Sequence, residues 1–211
     1  MGAGQRLDAV TVDAYGTLLT LADPVPALAS ALRARGVERG PDAIGRAFAA
    51  EMRYYRPRSH EGRDGESLAA LRRDCAGVFL GELGAALDPA EFAPAFVGAL
   101  VFEPLPGVES ALAALAARGL ALAVVGNWDC TLAEKLEAIG LDGWFDCVVT
   151  SAEAGVPKPD PAPFRLALER LGVAAERALH VGDSPADEEG ARAAGMWFAP
   201  APLAAALELC P

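Results

Sequence analysis

Positive charge is scarce in this chain. Lysine and arginine together number 18 against 29 aspartates and glutamates, a formal net charge of −11. A nucleic-acid partner requires a basic face, so that class is excluded. A small anionic substrate is not, because local charge decides its binding. Histidine occurs twice, at His60 and His180, and cysteine four times, at Cys75, Cys130, Cys147 and Cys210. The cysteines lack a paired spacing, so neither a zinc site nor a disulfide framework is expected. They read as reduced thiols, as in a cytoplasmic protein. The first residues lack the basic-then-apolar pattern of a secretion signal, and no apolar run reaches the ~18 residues of a membrane span. A cytoplasmic location without a membrane partner is therefore the expectation. No internal repeat is visible, and monomer and homodimer both stay open.

What the chain has is apolar residues, 53% of 211, enough for a real core in one domain or in one domain carrying an insertion. Its organising stretch is Asp8-Ala9-Val10-Thr11-Val12-Asp13-Ala14-Tyr15-Gly16-Thr17-Leu18-Leu19. Val10 and Val12 read as a short buried strand that ends on Asp13, before a Gly-containing turn. An acid at the carboxyl end of a strand sits where open α/β sheets bind ligands. The same acid could simply cap the turn.

From about residue 22 to 100 the pattern is helical throughout. Leu28 and Leu32 fit a helix stopped by Gly36, and Asp42 is placed to cap the next. Arg53 to Arg63 reads as a loop rich in Arg, Pro and Gly. Leu68, Leu71, Cys75, Val78, Phe79 and Leu83 recur at helical spacing, and Asp88-Pro89 opens a further helix. The pattern then changes. Leu120–Val125, Asp146–Thr150, Ala178–Asp183 and Met196–Phe198 read as strands alternating with helices opened at Pro106-Gly107, near 131, at Asp160-Pro161 and at Ser184-Pro185. Such alternation predicts an α/β fold, a doubly wound, mostly parallel sheet, with the helical block inserted after the first strand as a lid.

Several strand ends carry polar residues: Asp13, Gly126-Asn127 and Asp183, with Asp187 four residues further on. Lys158 lies in a loop stiffened by Pro157, Pro159 and Pro161. Three carboxylates, an amide and a lysine on one sheet edge suit an oxygen-ligated Mg²⁺ and a carboxylate nucleophile. The motifs Asp13-Ala14-Tyr15-Gly16-Thr17-Leu18, Gly126-Asn127, Lys158 before Pro159, and Gly182-Asp183-Ser184-Pro185-Ala186-Asp187 occur in that order. In this the sequence resembles the haloacid dehalogenase superfamily over nearly its whole length. The resemblance implies a Rossmann-like core over residues 1–20 and 104–211 and a helical cap over 21–103. It makes Asp13 the nucleophile and has Lys158 hold that carboxylate and the substrate. It assigns Asp183, less directly Asp187, and the Tyr15 carbonyl to Mg²⁺, and gives Thr17, Gly126 and Asn127 to the bound anion and its turn.

Two departures bear on the reaction. Phosphatases of the superfamily usually carry a second Asp two residues after the nucleophile, where this chain has Tyr15. A phenol ordinarily titrates at about 10 and is a poor base at neutral pH. Gly126 stands where Ser or Thr usually binds phosphoryl oxygens. Three readings follow. One is a Mg²⁺-dependent phosphatase acting through an aspartyl-phosphate. The second is a metal-independent 2-haloacid dehalogenase, favoured by Tyr15 and opposed by Asp183. The third is a catalytically degenerate binding protein. Some residues have plainer readings: Asp187 as part of a helix cap with Ser184, the Arg53–Arg63 arginines as solvated unless Arg53, Arg56 or His60 reaches the site, His180 as packed, and Trp128 as core or pocket wall.

Overall fold

The computed structural model describes residues 6–209; Cys210 lies outside them. Strand β1 (Ala9–Val12) is buried at all four positions. The chain leaves it through a short strand β2 (Leu19–Leu21) and returns through β3 (Phe102–Pro104), which pairs antiparallel with β2. This ribbon was not anticipated, because three-residue strands carrying Thr20, Glu103 and Pro104 show no alternation long enough to read.

Between the two ribbon strands lie α1 (Val25–Arg33), α2 (Pro41–Tyr55), α3 (Gly65–Glu82) and α4 (Pro89–Gly98). They share their own apolar core, in which Leu28, Leu32, Ile44, Phe79, Phe92 and Phe96 are buried. The Phe79 ring packs 5.1 Å from Phe96 and 6.0 Å from Phe92. Asp88 caps α4 as the sequence suggested, with its Oδ1 accepting the Ala90 amide at 2.7 Å. Two local expectations are corrected. Gly40, not Asp42, is the N-cap of α2, because Pro41 takes the first helical position and leaves Asp42 within the first turn. The Arg53–Arg63 segment is not a loop: α2 runs to Tyr55 and a 3-10 helix continues over Arg56–Glu61. Pro57 is tolerated there because it occupies the first turn, where no amide donor is required.

The rest of the chain alternates: α5 (Val108–Ala116), β4 (Ala121–Gly126), α6 (Leu132–Ala138), β5 (Cys147–Thr150), α7 (Ser151–Ala154), α8 (Ala162–Leu171), β6 (Ala178–Gly182), α9 (Pro185–Ala193), β7 (Trp197–Pro200) and α10 (Ala206–Leu209). β1, β4, β5, β6 and β7 form one parallel sheet in the order β5-β4-β1-β6-β7. Successive side chains face opposite sides. Val10, Val12, Leu122, Val124, Leu179 and Val181 join one apolar cluster, while Ala9, Ala123, Val125 and Ala178 join another with Phe164 and Ala167.

Register is what positions the site. Val12 is paired with Val124 on one side and Val181 on the other. Asp13 therefore emerges beside Val125-Gly126 and Gly182-Asp183, at the point where the sheet order reverses about its central strand.

Candidate active site

Asp13 follows β1 directly, and its amide donates to the Val181 carbonyl at 2.8 Å. Its carboxylate is almost wholly buried. Oδ1 accepts from Lys158 Nζ at 2.5 Å. The same ammonium donates to Asp187 Oδ1 at 2.6 Å and to the Val125 carbonyl at 2.8 Å. Lys158 thus uses all three of its donors and is itself buried. Its loop is fixed by a reciprocal pair: the Lys158 amide donates to Asn127 Oδ1 at 2.7 Å, and Asn127 Nδ2 donates to the Lys158 carbonyl at 3.1 Å. Burial alone would discharge the lysine, but Asp13 and Asp187 outweigh it and its pKa is raised.

Asp187 is the most fully occupied acid of the site. Its Oδ2 accepts from the Ser184 amide at 3.1 Å and from the Ser184 hydroxyl at 2.5 Å, forming the capping box of α9. Its Oδ1 meets Lys158 and, at 3.1 Å, His180 Nε2. Capping and the site therefore share one carboxylate. Despite burial, the bonds from His180 and Lys158 hold Asp187 well below the usual carboxylate range. His180 is buried in β6 and pushed down to about 4 by that burial. It is neutral, with Nε2–H facing the carboxylate and Nδ1 accepting the Thr11 hydroxyl at 2.8 Å. This Thr11–His180–Asp187 chain escaped sequence reasoning, since His180 looked merely packed and Thr11 merely alternating.

Burial raises Asp13 to about 6 against the pull of Lys158, with Asp187 and Asp183 adding to the rise. Asp183 is also raised, by desolvation first and then by Asp187. Among the described residues no lysine or arginine pairs with Asp183. Oxygens of Asp13, Asp183 and Asp187 all lie within 4.8 Å of one another. Three carboxylates against one ammonium leave an uncompensated negative charge. The donor set is hard oxygen, so the residues fit a Mg²⁺-like cation. The turn is built to let Asp183 in: at Gly16 (φ +89°) a Cβ would fall 2.1 Å from Asp183 Oδ2.

The remaining sequence candidates fall differently. The Thr17 hydroxyl is buried and only 3.5 Å from Asp13 Oδ2, a weak contact. Gly126 ends β4 in a crowded spot, where a Cβ would lie 2.9 Å from Leu132 Cδ2 and 3.3 Å from Ala14 Cβ. Tyr15 stands at the mouth, 37% exposed.

A cavity of about 360 Å³ opens over these groups, between the sheet edge and the helical segment. Asp13, Asn127, Lys158 and Asp183 line its floor, Tyr15 its mouth, while Glu51, Met52, Leu71 and Phe96 come from α2–α4. Of Arg53, Arg56 and His60, only Arg56 lines it, and Trp128 forms part of the wall. The helical segment is clamped to the sheet edge at three points. Tyr55 donates its hydroxyl to Asp129 Oδ2 at 2.9 Å, the Cys130 amide donates to the Gly62 carbonyl at 2.9 Å, and the Ser59 and Ser151 hydroxyls meet at 3.3 Å. Gly62 has no room for a side chain, since a Cβ would sit 2.9 Å from Asp129 Cβ. Glu51, Tyr55 and Asp129 carried no sequence signal, because nothing in their spacing ties residue 55 to residue 129 or turns residue 51 toward the cavity.

Residues 7–195 match the haloacid dehalogenase-like hydrolase family. The chain belongs to that family. It is 36% identical over 205 residues to haloacid dehalogenase-like hydrolase domain-containing protein 3 of Bos taurus, covering 90% of this chain and 80% of the relative. It is 37% identical over 185 residues to a phosphoglycolate phosphatase of Rhodospirillum rubrum, covering 87% and 69%. The structure of L-2-haloacid dehalogenase from Xanthobacter autotrophicus superposes with a TM-score of 0.66 at 29% identity, covering 96% of this chain and 82% of that one. As a member of this family the chain is a hydrolase, and both of its sequence-level rivals for chemistry, phosphatase and dehalogenase, are represented among similar proteins.

Proposed function

We propose that this hydrolase cleaves a small phosphomonoester, with Asp13 as nucleophile. The observation that carries the reading is the Asp13–Lys158–Asp187 triad with the unpaired Asp183 beside it. Lys158 holds Asp13 Oδ1, which leaves Oδ2, touched only by the long Thr17 contact, to attack phosphorus. The P–O bond to the leaving alcohol breaks as the Asp13–phosphorus bond forms, and the alkoxide takes a proton from water or from Tyr15. Water then attacks the aspartyl-phosphate at phosphorus, releasing phosphate and restoring the carboxylate. Lys158 keeps the nucleophile ionised and offsets negative charge developing on the phosphoryl oxygens. Asp187, held by His180 and Ser184, orients Lys158. Asp13, Asp183 and the Tyr15 carbonyl would hold Mg²⁺, with Asp187 supporting from behind. When bound, the ion supplies positive charge to the transferring phosphoryl group.

In this reading residues 1–20 and 104–211 are the catalytic core and 21–103 the cap that closes the cavity. Thr17, Gly126 and Asn127 order the turn and loop around the anion. The free thiols Cys75, Cys130 and Cys147 suit a reducing, cytoplasmic setting. Asp183 weighs against metal-independent dehalogenation, because an uncompensated carboxylate near Asp13 repels an anionic acid. Tyr15 is the specific observation in favour of it, since a halide leaves without a proton. Phosphate release from an aryl phosphate, with and without Mg²⁺, is measured beside halide release from a 2-chloro acid. Mg²⁺-dependent phosphate release that disappears in Asp13→Asn supports the phosphatase. Halide release that survives a chelator rejects it for the dehalogenase, and neither activity across a broad substrate panel favours a binding protein.

A further inference from the structure

The cavity wall contributed by the helical segment contains a carboxyl group that the phosphoryl chemistry does not use. Glu51 lies on α2, lines the cavity and is 3% exposed. Its Oε2 is buried without a hydrogen-bond partner. The Cys75 thiol on α3 also lines the cavity, beside that carboxyl group. Burial and the carboxylate push that thiol up, so it stays a donor. No lysine or arginine pairs with Glu51 among the described residues, and Met52, Leu71 and Phe96 are the apolar part of the wall. A core residue here would be expected to be apolar or fully bonded, because an unsatisfied buried acceptor is costly. Of the other polar side chains of this wall, the Tyr55 hydroxyl goes to Asp129 Oδ2 at 2.9 Å and the Thr131 hydroxyl to Asp129 Oδ1 at 2.6 Å, while Arg56, Arg72 and Lys135 also line the cavity.

We infer that Glu51 is the specificity-determining residue of the cavity and that it accepts a hydrogen bond from a hydroxyl or ammonium group on the organic part of the substrate. This rests on the phosphomonoester reading for the other end of the substrate. The substrate class is then a phosphomonoester with a short apolar body and a distal hydrogen-bond donor. The phosphoryl group sits over Asp13 and Lys158, the body lies against Met52, Leu71 and Phe96, and the donor meets the Glu51 carboxyl group. Among the described residues Glu51 carries the orphaned acceptor of the cavity wall, so a matched ligand that lacks the donor leaves that carboxyl group unsatisfied.

The test is calorimetric binding at pH 8, where Glu51 is ionised, of alkylphosphonates, which carry a C–P bond that the hydrolase cannot cleave by this route, to the full chain with Mg²⁺ in excess. Chains of two to six carbons are compared in sets that differ only in an ω-methyl, ω-hydroxyl or ω-amino end. At one chain length the donor-bearing member is expected to bind roughly 10- to 100-fold tighter than its methyl partner, as for a hydrogen bond to a charged group. Glu51→Met erases that preference. Glu51→Gln separates the two donors, because an amide oxygen still accepts from a hydroxyl but offers an ammonium no charge. Equal affinities within every set, a preference that survives in Glu51→Met, or no binding of any member overturns the inference; the wild-type measurement can do so whether or not the variants fold. Phosphate release from an aryl phosphate is followed separately. Turnover without donor preference rejects the role of Glu51 and leaves the phosphatase standing. Donor preference without turnover does the reverse.

Discussion

Replacing Glu51 by Gln should stabilise the protein, and more so as pH rises. The side chain is 3% exposed. Burial raises its pKa from an ordinary 4.5 to about 7, against the Cys75 bond that lowers it. Below about pH 4.5 folded and unfolded chains both carry the proton, and the site costs nothing in ionisation. Between there and about 7 the unfolded chain ionises while the folded one does not, so folding stability falls with rising pH. Above about 7 the loss is complete. A shift of that size corresponds to about 3 kcal/mol at 1.36 kcal/mol per unit. Glutamine keeps the shape and an oxygen that can accept the Cys75 thiol, but it never ionises. The stability difference between Glu51→Gln and wild type should therefore be small near pH 4.5 and approach about 2–3 kcal/mol at pH 8. At about 2–4 °C per kcal/mol for a chain of this length, that is a gain in Tm of several degrees. Taking the difference between the two proteins at each pH cancels the other titrating groups. A difference that does not change between pH 5 and pH 8, or a variant less stable at pH 8, would refute the assignment of Glu51 as a buried carboxyl without a compensating partner.

Tyr15→Asp places the acid and base that the phosphatase chemistry lacks; turnover of an alkyl phosphate should rise by about 10- to 100-fold, and an unchanged or lower kcat rejects proton transfer as the limit. Gly126→Ser should not improve phosphate binding. Its Cβ would meet Leu132 Cδ2 at 2.9 Å and Ala14 Cβ at 3.3 Å, so chemical unfolding should show a loss of about 1–3 kcal/mol. Tyr55→Phe leaves Asp129 Oδ2 without its 2.9 Å donor at the joint between helical segment and sheet edge; urea unfolding should report a cost of about 1–3 kcal/mol, and no change would mean the joint does not depend on it. Thr11→Val removes the donor to His180 Nδ1 while keeping the volume. Since it touches Asp187 only through that ring, kcat should fall more than KM changes, and an effect on stability alone would confine Thr11 to packing.

The amino-acid order alone determined the alternation of strands and helices after residue 100, the helical block before it, and the acids at strand ends. The reason is that these are local facts. The β-branched stretch Val10–Val12 and the apolar run Leu120–Val125 declare buried strands. Asp88-Pro89 and Ser184-Pro185 declare helix starts, and glycine declares helix ends. The Arg53–Arg63 segment was misread because its composition is that of a loop, whereas continuity with α2 and docking against Ser151 and Asp129 hold it helical. Asp187 looked like either a cap or a site residue, and only the fold shows one carboxylate serving Ser184, Lys158 and His180 together. Glu51 gave no sign in sequence. Helix α2 happens to turn it toward a cavity whose floor comes from residues tens to more than a hundred positions away. Tertiary structure decided these cases because the energy of a charge depends on which groups surround it in space. Burial, orphaned acceptors and shared hydrogen bonds are properties of that surrounding, and the local pattern along the chain does not carry them.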